Sequence, residues 1–401
     1  MTPAPAIYRG FPQALITGTG ALASVAEEIE RNGYRRVALL SSPSVAAGES
    51  FRRVREQLQE TEIVETFSEI RPHAPIADTE ALATRLAAAP PDAIVALGGG
   101  SVSDTAKACS ILLAEGGRLE EHCSTFTPPD RLVAPTLPHP KIPVLAVPTT
   151  LSGAEMTPGG GATNPDGVKR VFWDPKVAVS VAVFDPGVLA ETPRDLIVTT
   201  AMNGLAHCAE GLYSRTKNPV STGLALRGAQ LFAAGLTRLA QSPGPDESAL
   251  LQLAEAAALG GMVISHARVG LHHAVCHVLG AYCGLGHGTA NAVMLPYVLR
   301  YNEPATVGEQ RALAAALETG LNGAGALGSD ATAADRVAEV EQIAGAPRSL
   351  REVGISEDDL SEVARRTMSD RGLFFNPRRV EDVAEVRGIL ARAWEGDRAG
   401  V

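Results

Sequence analysis

Aromatic residues make up only 4% of this 401-residue chain, so its core must be built mainly from Ala, Leu and Val. Cysteine is sparse too. Cys109, Cys123, Cys208, Cys276 and Cys283 form no CxxC pair and are odd in number, which argues against a disulfide framework and for buried thiols in a reduced, cytoplasmic protein. Basic charge is in the minority, 35 Lys and Arg against 45 Asp and Glu, and no Lys/Arg run stands out. A surface of net charge -10 disfavours nucleic acid, whose phosphates need basic patches. Apolar runs such as Ala93–Leu97 and Val144–Val147 are strand-sized and too short to span a bilayer. The N-terminal MTPAPAIYRGFPQALITG lacks a basic segment followed by a long apolar stretch, so no secretory leader is expected.

What is present is globular composition, 45% hydrophobic and 20% charged, in a length suited to two domains. Up to about residue 190, short β-branched runs (Arg36–Ser41, Ala93–Leu97, Val144–Val147, Val179–Phe184) alternate with amphipathic stretches such as Ala21–Asn32 and Ser50–Glu60. Alternation of this kind predicts a parallel sheet covered on both faces. After Asp185-Pro186 the segments 194–240, 246–278, 305–323, 331–345, 357–368 and 380–395 carry Ala and Leu with charges at helical period. The expectation is an α/β domain over residues 1–190 and an all-helical domain over 191–401.

The strongest local signal is Ala93-Ile-Val-Ala-Leu-Gly98-Gly99-Gly100-Ser101, followed by Asp104 and Lys107. A buried strand meets three glycines, and a helix is predicted to open at Ser101 or shortly after. Glycines let backbone approach a pyrophosphate, and amides at the helix start point at the anion. The competing reading is a tight turn without a ligand. A second loop, Pro148-Thr149-Thr150-Leu151-Ser152-Gly153-Ala154-Glu155, offers hydroxyls to phosphate or ribose, or simply caps a helix. Gly18-Thr-Gly20-Ala-Leu-Ala23 also fits a dinucleotide fingerprint. However, the strand that would carry its ribose-binding acid ends in Ser41-Ser42-Pro43 with no Asp or Glu, so it reads as a structural turn.

Five of the nine histidines (His266, His272, His273, His277, His287) fall within 22 residues, a metal or catalytic candidate. Asn203 and His207, at i and i+4, share a helix face. A straight helix over 273–287 would part those two imidazoles by roughly 21 Å, too far for one metal. The helix must therefore end between them, with Gly280, Gly284 and Gly286 supplying breaks. His266 and His272 fit equally well as ordinary core or surface histidines.

These residues resemble the iron-containing alcohol dehydrogenase family over nearly the whole chain. Gly98–Ser101 with Asp104 and Lys107 looks like its pyrophosphate site, and Pro148-Thr149-Thr150 with Ser152, Gly153 and Glu155 like its second cofactor loop. Phe184-Asp185-Pro186 matches the end of its first domain. His273-Ala-Val-Cys-His277 with Gly286-His287-Gly288-Thr-Ala-Asn291 looks like its most specific signature. The resemblance implies the dehydroquinate synthase-like fold, NAD or NADP as cofactor with Lys169 also near it, and a divalent Fe²⁺ or Zn²⁺ held by one Asp and three His. Those ligand positions fall on Asn203, His207, His273 and His287, with His277 non-ligating beside the nicotinamide. Asn203 departs from the usual Asp, and a neutral amide oxygen is the weaker ligand, so metal binding is expected to weaken or vanish. The maleylacetate reductase branch looks similar here, with Asn at that position and a His-His-x-x-Cys-His run like His272–His277. Asn376-Pro377-Arg378 resembles that branch too, whereas His287-Gly-Thr-Ala-Asn291 is nearer the ordinary alcohol dehydrogenases.

The implied chemistry is hydride transfer between the nicotinamide and a carbonyl, polarised by the metal or, without one, by protonated His273 or His277, with His207 beside them. An oxo-acid substrate would need a cationic clamp, for which Lys169, Arg170, Arg268 and Arg378 are candidates. Ser42 stands where NAD-selective relatives often place Asp, so NADPH is expected to be accepted. Two rival readings are a metal-dependent dehydrogenase of a simple alcohol or aldehyde, and a non-redox protein using bound NAD transiently or binding it without turnover. A small-molecule carbonyl or oxo-acid substrate, a homodimer, and neither nucleic acid nor membrane complete the expectations.

Overall fold

The computed structural model describes residues 13–128 and 131–397. Those residues fall into two compact units, one of 13–125 together with Val133–Pro193, the other of 194–397 with 126–128 and 131–132.

The first unit is built on strands β1 (Ala14–Thr17), β2 (Arg36–Ser41), β3 (Glu62–Phe67), β4 (Ala93–Gly98), β5 (Val144–Pro148) and, after a hairpin of β6 (Gly159–Thr163) with β7 (Lys169–Trp173), β8 (Val181–Phe184). Six of them form one sheet in the order β1-β8-β5-β4-β2-β3, with every pair parallel. Strands β4 and β5 are buried along their whole length, as expected of central parallel strands covered on both faces. Helices α1 (Ser24–Arg31), α2 (Glu49–Gln57), α3 (Ile76–Ala88) and α4 (Gly100–Glu115) are among the crossovers.

All four strands expected from the β-branched runs are present, the last shortened to Val181–Phe184. The sheet also contains β1 and β3, which the apolar pattern did not single out. Both are edge strands, and β3 (EIVETF) mixes glutamates with apolar residues because no part of it is fully covered. The β6–β7 hairpin is antiparallel and starts with Gly159-Gly160-Gly161, a run with no hydrophobic period to read. Gly18 and Gly20 form the turn after β1: Gly20 is left-handed at φ 81° ahead of a 3₁₀ turn, whose Leu22 amide donates to Asp185 Oδ2 at 3.0 Å.

The second unit is helical: α5 (Arg194–Tyr213), α6 (Pro219–Gln241), α7 (Glu247–Ala267), α8 (Leu271–Cys283), α9 (His287–Asn302), α10 (Val307–Leu321), α11 (Ala333–Ala344), α12 (Leu360–Thr367) and α13 (Val383–Glu395). Nearly every residue of α5 from Ile197 onward is buried, which marks it as a central helix of the bundle. Gly204 and Gly260 let α5 and α7 approach closely, since a Cβ on Gly260 would lie 2.9 Å from the Gly204 carbonyl oxygen. By length and composition α7 could cross a bilayer, yet Leu250, Leu253, Ala254, Ala257 and Val263 are buried inside the unit. The segment expected as one helical stretch over 194–240 breaks after Tyr213. Asn218 accepts the amides of Val220 and Ser221 there and Pro219 opens α6, a capping arrangement worth about 1 kcal/mol.

Candidate functional site

In the first unit, Gly98–Ser101 sits at the C-terminal end of β4. Ser41 of β2 is in register with Leu97, and Ser42 follows it. The chain leaves β2 outward to β3 and returns to β4 on the other side, so the ends of β2 and β4 flank the sheet's switch point, where open α/β sheets bind ligands. The helix opens at Gly100, one residue earlier than expected, and Gly99 supplies no side-chain cap. A bare helix start of this kind suits an anion.

Gly99 and Gly100 let the second loop pack closely against this turn. A Cβ on Gly99 would lie 3.1 Å from Thr150 Cγ2, and one on Gly100 3.2 Å from Ser152 Oγ. Thr149 donates its amide to the Gly98 carbonyl at 3.1 Å. Gly98–Ser101, Thr149, Thr150 and Ser152 are thus one assembly. The Ser101 hydroxyl accepts the His73 amide at 3.0 Å.

Asp104 and Lys107 bond to the backbone of the segments packed around the start of this helix. Asp104 Oδ2 accepts the Gly161 amide at 3.0 Å. The fully buried Lys107 ammonium donates to the carbonyls of Ala154, Thr157 and Gly159 at 2.6, 2.9 and 2.9 Å, because a buried ammonium must find acceptors. Burial lowers the Lys107 pKa to about 8 against the pull of Asp104 and Glu155. Glu155 is buried as well, its Oε1 has no hydrogen-bond partner, and burial pushes its carboxyl up to about 7. Lys169 on β7 runs along the hairpin, where its Cε would meet a Cβ on Gly161 at 2.3 Å.

In the helical unit the histidines converge. On α5, Asn203, His207 and Glu210 stand at i, i+4 and i+7 on one face. On α8, His273 and His277 stand at i and i+4. Helix α8 ends at Gly284 in the left-handed conformation, φ 70°, and Gly286 leads into α9 with His287 at its first position. The turn works as the spacing required, except that Gly280 lies inside α8. A Cβ on Gly288 would lie 2.9 Å from the Thr199 backbone, so the first turn of α9 rests directly on α5. Ring centroids of His207 and His273 are 4.8 Å apart and stacked; His273 and His287 are 5.7 Å apart, and His277 and His287 5.8 Å. His272 is fully buried with Nε2 3.1 Å from the Asn291 carbonyl.

Two acids that the sequence reading missed fix these rings. Glu210, with no exposure, accepts the amides of Gly270 and His272 on Oε1 at 2.9 and 3.0 Å, and its Oε2 is 2.5 Å from His273 Nδ1. Burial opposes its charge, but its hydrogen bonds with His272 and His273 prevail and hold its pKa well below the usual carboxylate range. Burial lowers the His273 pKa to about 4, against the pull of Glu210. Asp370 Oδ2 is 2.9 Å from His277 Nδ1; burial opposes its charge, but His277 beside it keeps its pKa below the usual value. Asn376 Oδ1 takes the Leu271 amide at 3.1 Å, completing the cap of α8.

For a divalent metal, His207 and His287 have rings 4.8 and 5.7 Å from that of His273, and Asn203 Oδ1, 3.2 Å from His273 Nε2, offers a neutral oxygen. The donor set fits a metal in kind but brings no negative charge. Glu210, His272 and His273 also present ligand atoms within 4.8 Å, although the Glu210 oxygens already accept hydrogen bonds. Of the cations named for a substrate clamp, Arg378 is committed elsewhere, bonded to the Tyr301 carbonyl at 2.8 Å and lying 4.0 Å over its ring. Arg170 is 3.4 Å from Glu120. Arg268 ends α7 at φ 35°, and burial and Arg371 together lower its pKa to about 9.

The sequence matches the family described as iron-containing alcohol dehydrogenase over residues 12–186 and the C-terminal part of the Fe-containing alcohol dehydrogenase family over 197–394. A maleylacetate reductase from a Rhizobium species is 31% identical over 98% of this chain and 99% of its own. Alcohol dehydrogenase 4 of Saccharomyces cerevisiae is 29% identical over 96% and 98%. The crystal structure of maleylacetate reductase from Agrobacterium tumefaciens superposes with a TM-score of 0.81 at 28% identity, covering 99% of this chain and 100% of that one.

Proposed function

This chain belongs to the iron-containing alcohol dehydrogenase family, on the side of its maleylacetate reductase branch, and from that premise we propose that it reduces an unsaturated or oxo acid of the maleylacetate kind with NADH or NADPH. It is an oxidoreductase. A bound reduced nicotinamide would supply the hydride for the acceptor's electron-poor carbon, and this chain's residues would have to deliver the proton that the oxo oxygen then needs. His277 is the proposed donor: Asp370 at 2.9 Å from Nδ1 stabilises the imidazolium and aims the other nitrogen. The triple-glycine turn with Thr149, Thr150 and Ser152 is the proposed seat of the cofactor phosphates, and Arg268 the proposed contact of a substrate carboxylate.

The observation that carries the metal-independent form of this reading is Asn203, whose neutral amide faces His273 Nε2 at 3.2 Å where the family's usual ligand is a carboxylate. If bound, a divalent ion would sit among Asn203, His207, His273 and His287 and polarise the carbonyl as a Lewis acid. The closeness of the His207 and His287 rings to that of His273 favours that second reading, a metal-dependent dehydrogenase of a simple alcohol or aldehyde. Oxidation of NADH and NADPH at 340 nm, followed with maleylacetate and with simple aldehydes before and after prolonged chelation, separates them. Turnover of the acid that survives chelation supports the proposal. Activity on aldehydes alone, destroyed by chelation and restored by Fe²⁺ or Zn²⁺, overturns it. No absorbance change with any carbonyl compound would place the protein among non-redox members.

A further inference from the structure

We propose that Glu210 is a positioning residue that locks His273 in its Nδ1–H tautomer and turns the Nε2 lone pair toward Asn203. The argument is one of donors and acceptors, and it stands whether or not a metal is held. Glu210 has no exposure and both of its oxygens are engaged: Oε1 receives the amides of Gly270 and His272, and Oε2 faces His273 Nδ1 at 2.5 Å. An ionised carboxylate only accepts hydrogen bonds, so the ring nitrogen opposite it must carry the proton. Ionisation is enforced by the place of Glu210 at the start of α8, where free amides and the helix dipole favour a negative charge. This also satisfies a helix start whose N-cap, Gly270, has no side chain of its own.

The neighbouring ring supports the same direction. His272 Nε2 lies 3.1 Å from the Asn291 carbonyl, which can only accept, so His272 carries its proton there. Its Nδ1, 3.3 Å from His273 Nδ1, lies 3.7 Å from Glu210 Oε2, so one carboxylate faces both rings, and the shorter 2.5 Å contact is the one to His273. With its single proton held on Nδ1 by Glu210, His273 presents Nε2 as an acceptor. The Asn203 amide, turned over about its end, meets that lone pair with its NH₂ group, a choice of orientation that heavy-atom positions leave open. Glu210 thereby ties α5, which carries Asn203 and His207, to α8, which carries His273 and His277. It also assigns roles: His273 accepts or ligates through Nε2, and proton donation falls to His277.

Selective ¹⁵N-histidine labelling of the intact protein reads the tautomer directly, with His273 assigned by its loss in His273→Gln. The expected wild-type signature is a protonated Nδ1 and an unprotonated Nε2. In Glu210→Gln the amide oxygen can still accept from Gly270 and His272, while its NH₂ now donates to Nδ1, so the His273 pattern inverts. kcat falls about 10- to 100-fold, in line with losing a partner that orients a histidine, and the cofactor KM stays put. Glu210→Asp, still a carboxylate, restores the wild-type tautomer. A wild-type His273 protonated at Nε2 would overturn the proposal, as would an unchanged pattern in a folded Glu210→Gln protein. If that variant does not fold, the wild-type signature and Glu210→Asp decide the matter alone.

Discussion

Asp370 and His277 are 93 residues apart in sequence, yet Asp370 Oδ2 lies 2.9 Å from His277 Nδ1, with the two side chains only 15% and 12% exposed. A carboxylate in that position holds the ring and fixes which of its nitrogens points away. Asp370→Asn preserves the shape but removes the charge, and its NH₂ would oppose the Nδ1 proton. We expect kcat for reduction to fall by about 10²-fold, the scale of a general acid's contribution. The cofactor KM should be unchanged, because the substituted group belongs to the helical unit's histidine cluster and not to the phosphate loops. An equal loss in kcat and in cofactor binding would show that the change disturbs the fold instead.

Asn203→Asp restores the charged ligand of the family's usual metal set. A carboxylate 3.2 Å from His273 Nε2 should raise affinity for Zn²⁺ by at least about tenfold, measurable by competition with a chelator. Without metal the same group is an unpaired buried charge on the helix that already carries Glu210. The metal-free variant should therefore lose on the order of 2 kcal/mol, seen as a lower Tm that added Zn²⁺ reverses. A variant whose Tm ignores Zn²⁺ would mean that the three imidazoles do not share an ion.

The sheet and the glycine turn after β4 were legible because their signals are local. Ala93–Leu97 running into Gly98–Gly100 needs no knowledge of distant partners, and the glycines between His277 and His287 announced a turn by length alone. Edge strand β3 and the glycine-led hairpin were not legible, since neither carries a two-residue hydrophobic period. Glu210 was hidden for a different reason. At helical spacing within α5 it reads as an ordinary surface charge, and only the approach of α8 shows that it is buried against two amides and a histidine. The i, i+4, i+7 spacing of Asn203, His207 and Glu210 was the one available clue. Asp370 offered none, because its partner is set by tertiary structure.

Burial leaves Glu155 with a pKa near 7 and an oxygen without a partner. The sign of the pH effect follows from proton counting. Between about pH 4.5 and 7 the folded protein retains a proton on Glu155 that the unfolded chain has released, so this group's contribution to stability declines as pH rises through that window. Glu155→Gln removes the titration. The difference in Tm between variant and wild type should grow in the variant's favour from pH 5 to pH 7 and then level off. A difference that is flat across the window would mean that Lys107 keeps the carboxylate ionised throughout.

Ser42 follows the C-terminal end of β2, beside the switch point formed with β4, and its hydroxyl is 3.4 Å from Ser44 Oγ. No acid stands at the end of this strand to accept a ribose hydroxyl or to repel a 2′-phosphate. If the adenosine end of the cofactor lies here, the wild-type protein should use NADPH, and Ser42→Asp should discriminate against it. Juxtaposed like charges cost up to several kcal/mol, and about 1.4 kcal/mol is a factor of ten. kcat/KM for NADPH should accordingly fall tenfold or more, while NADH is held or improved through a new bond to its 2′-hydroxyl. Tm should barely move, since Ser42 makes no contact that the core depends on. An equal fall for both cofactors would place the ribose elsewhere. A wild-type preference for NADH above about a thousandfold, or roughly 4 kcal/mol, would show that another group already does what this aspartate was meant to do.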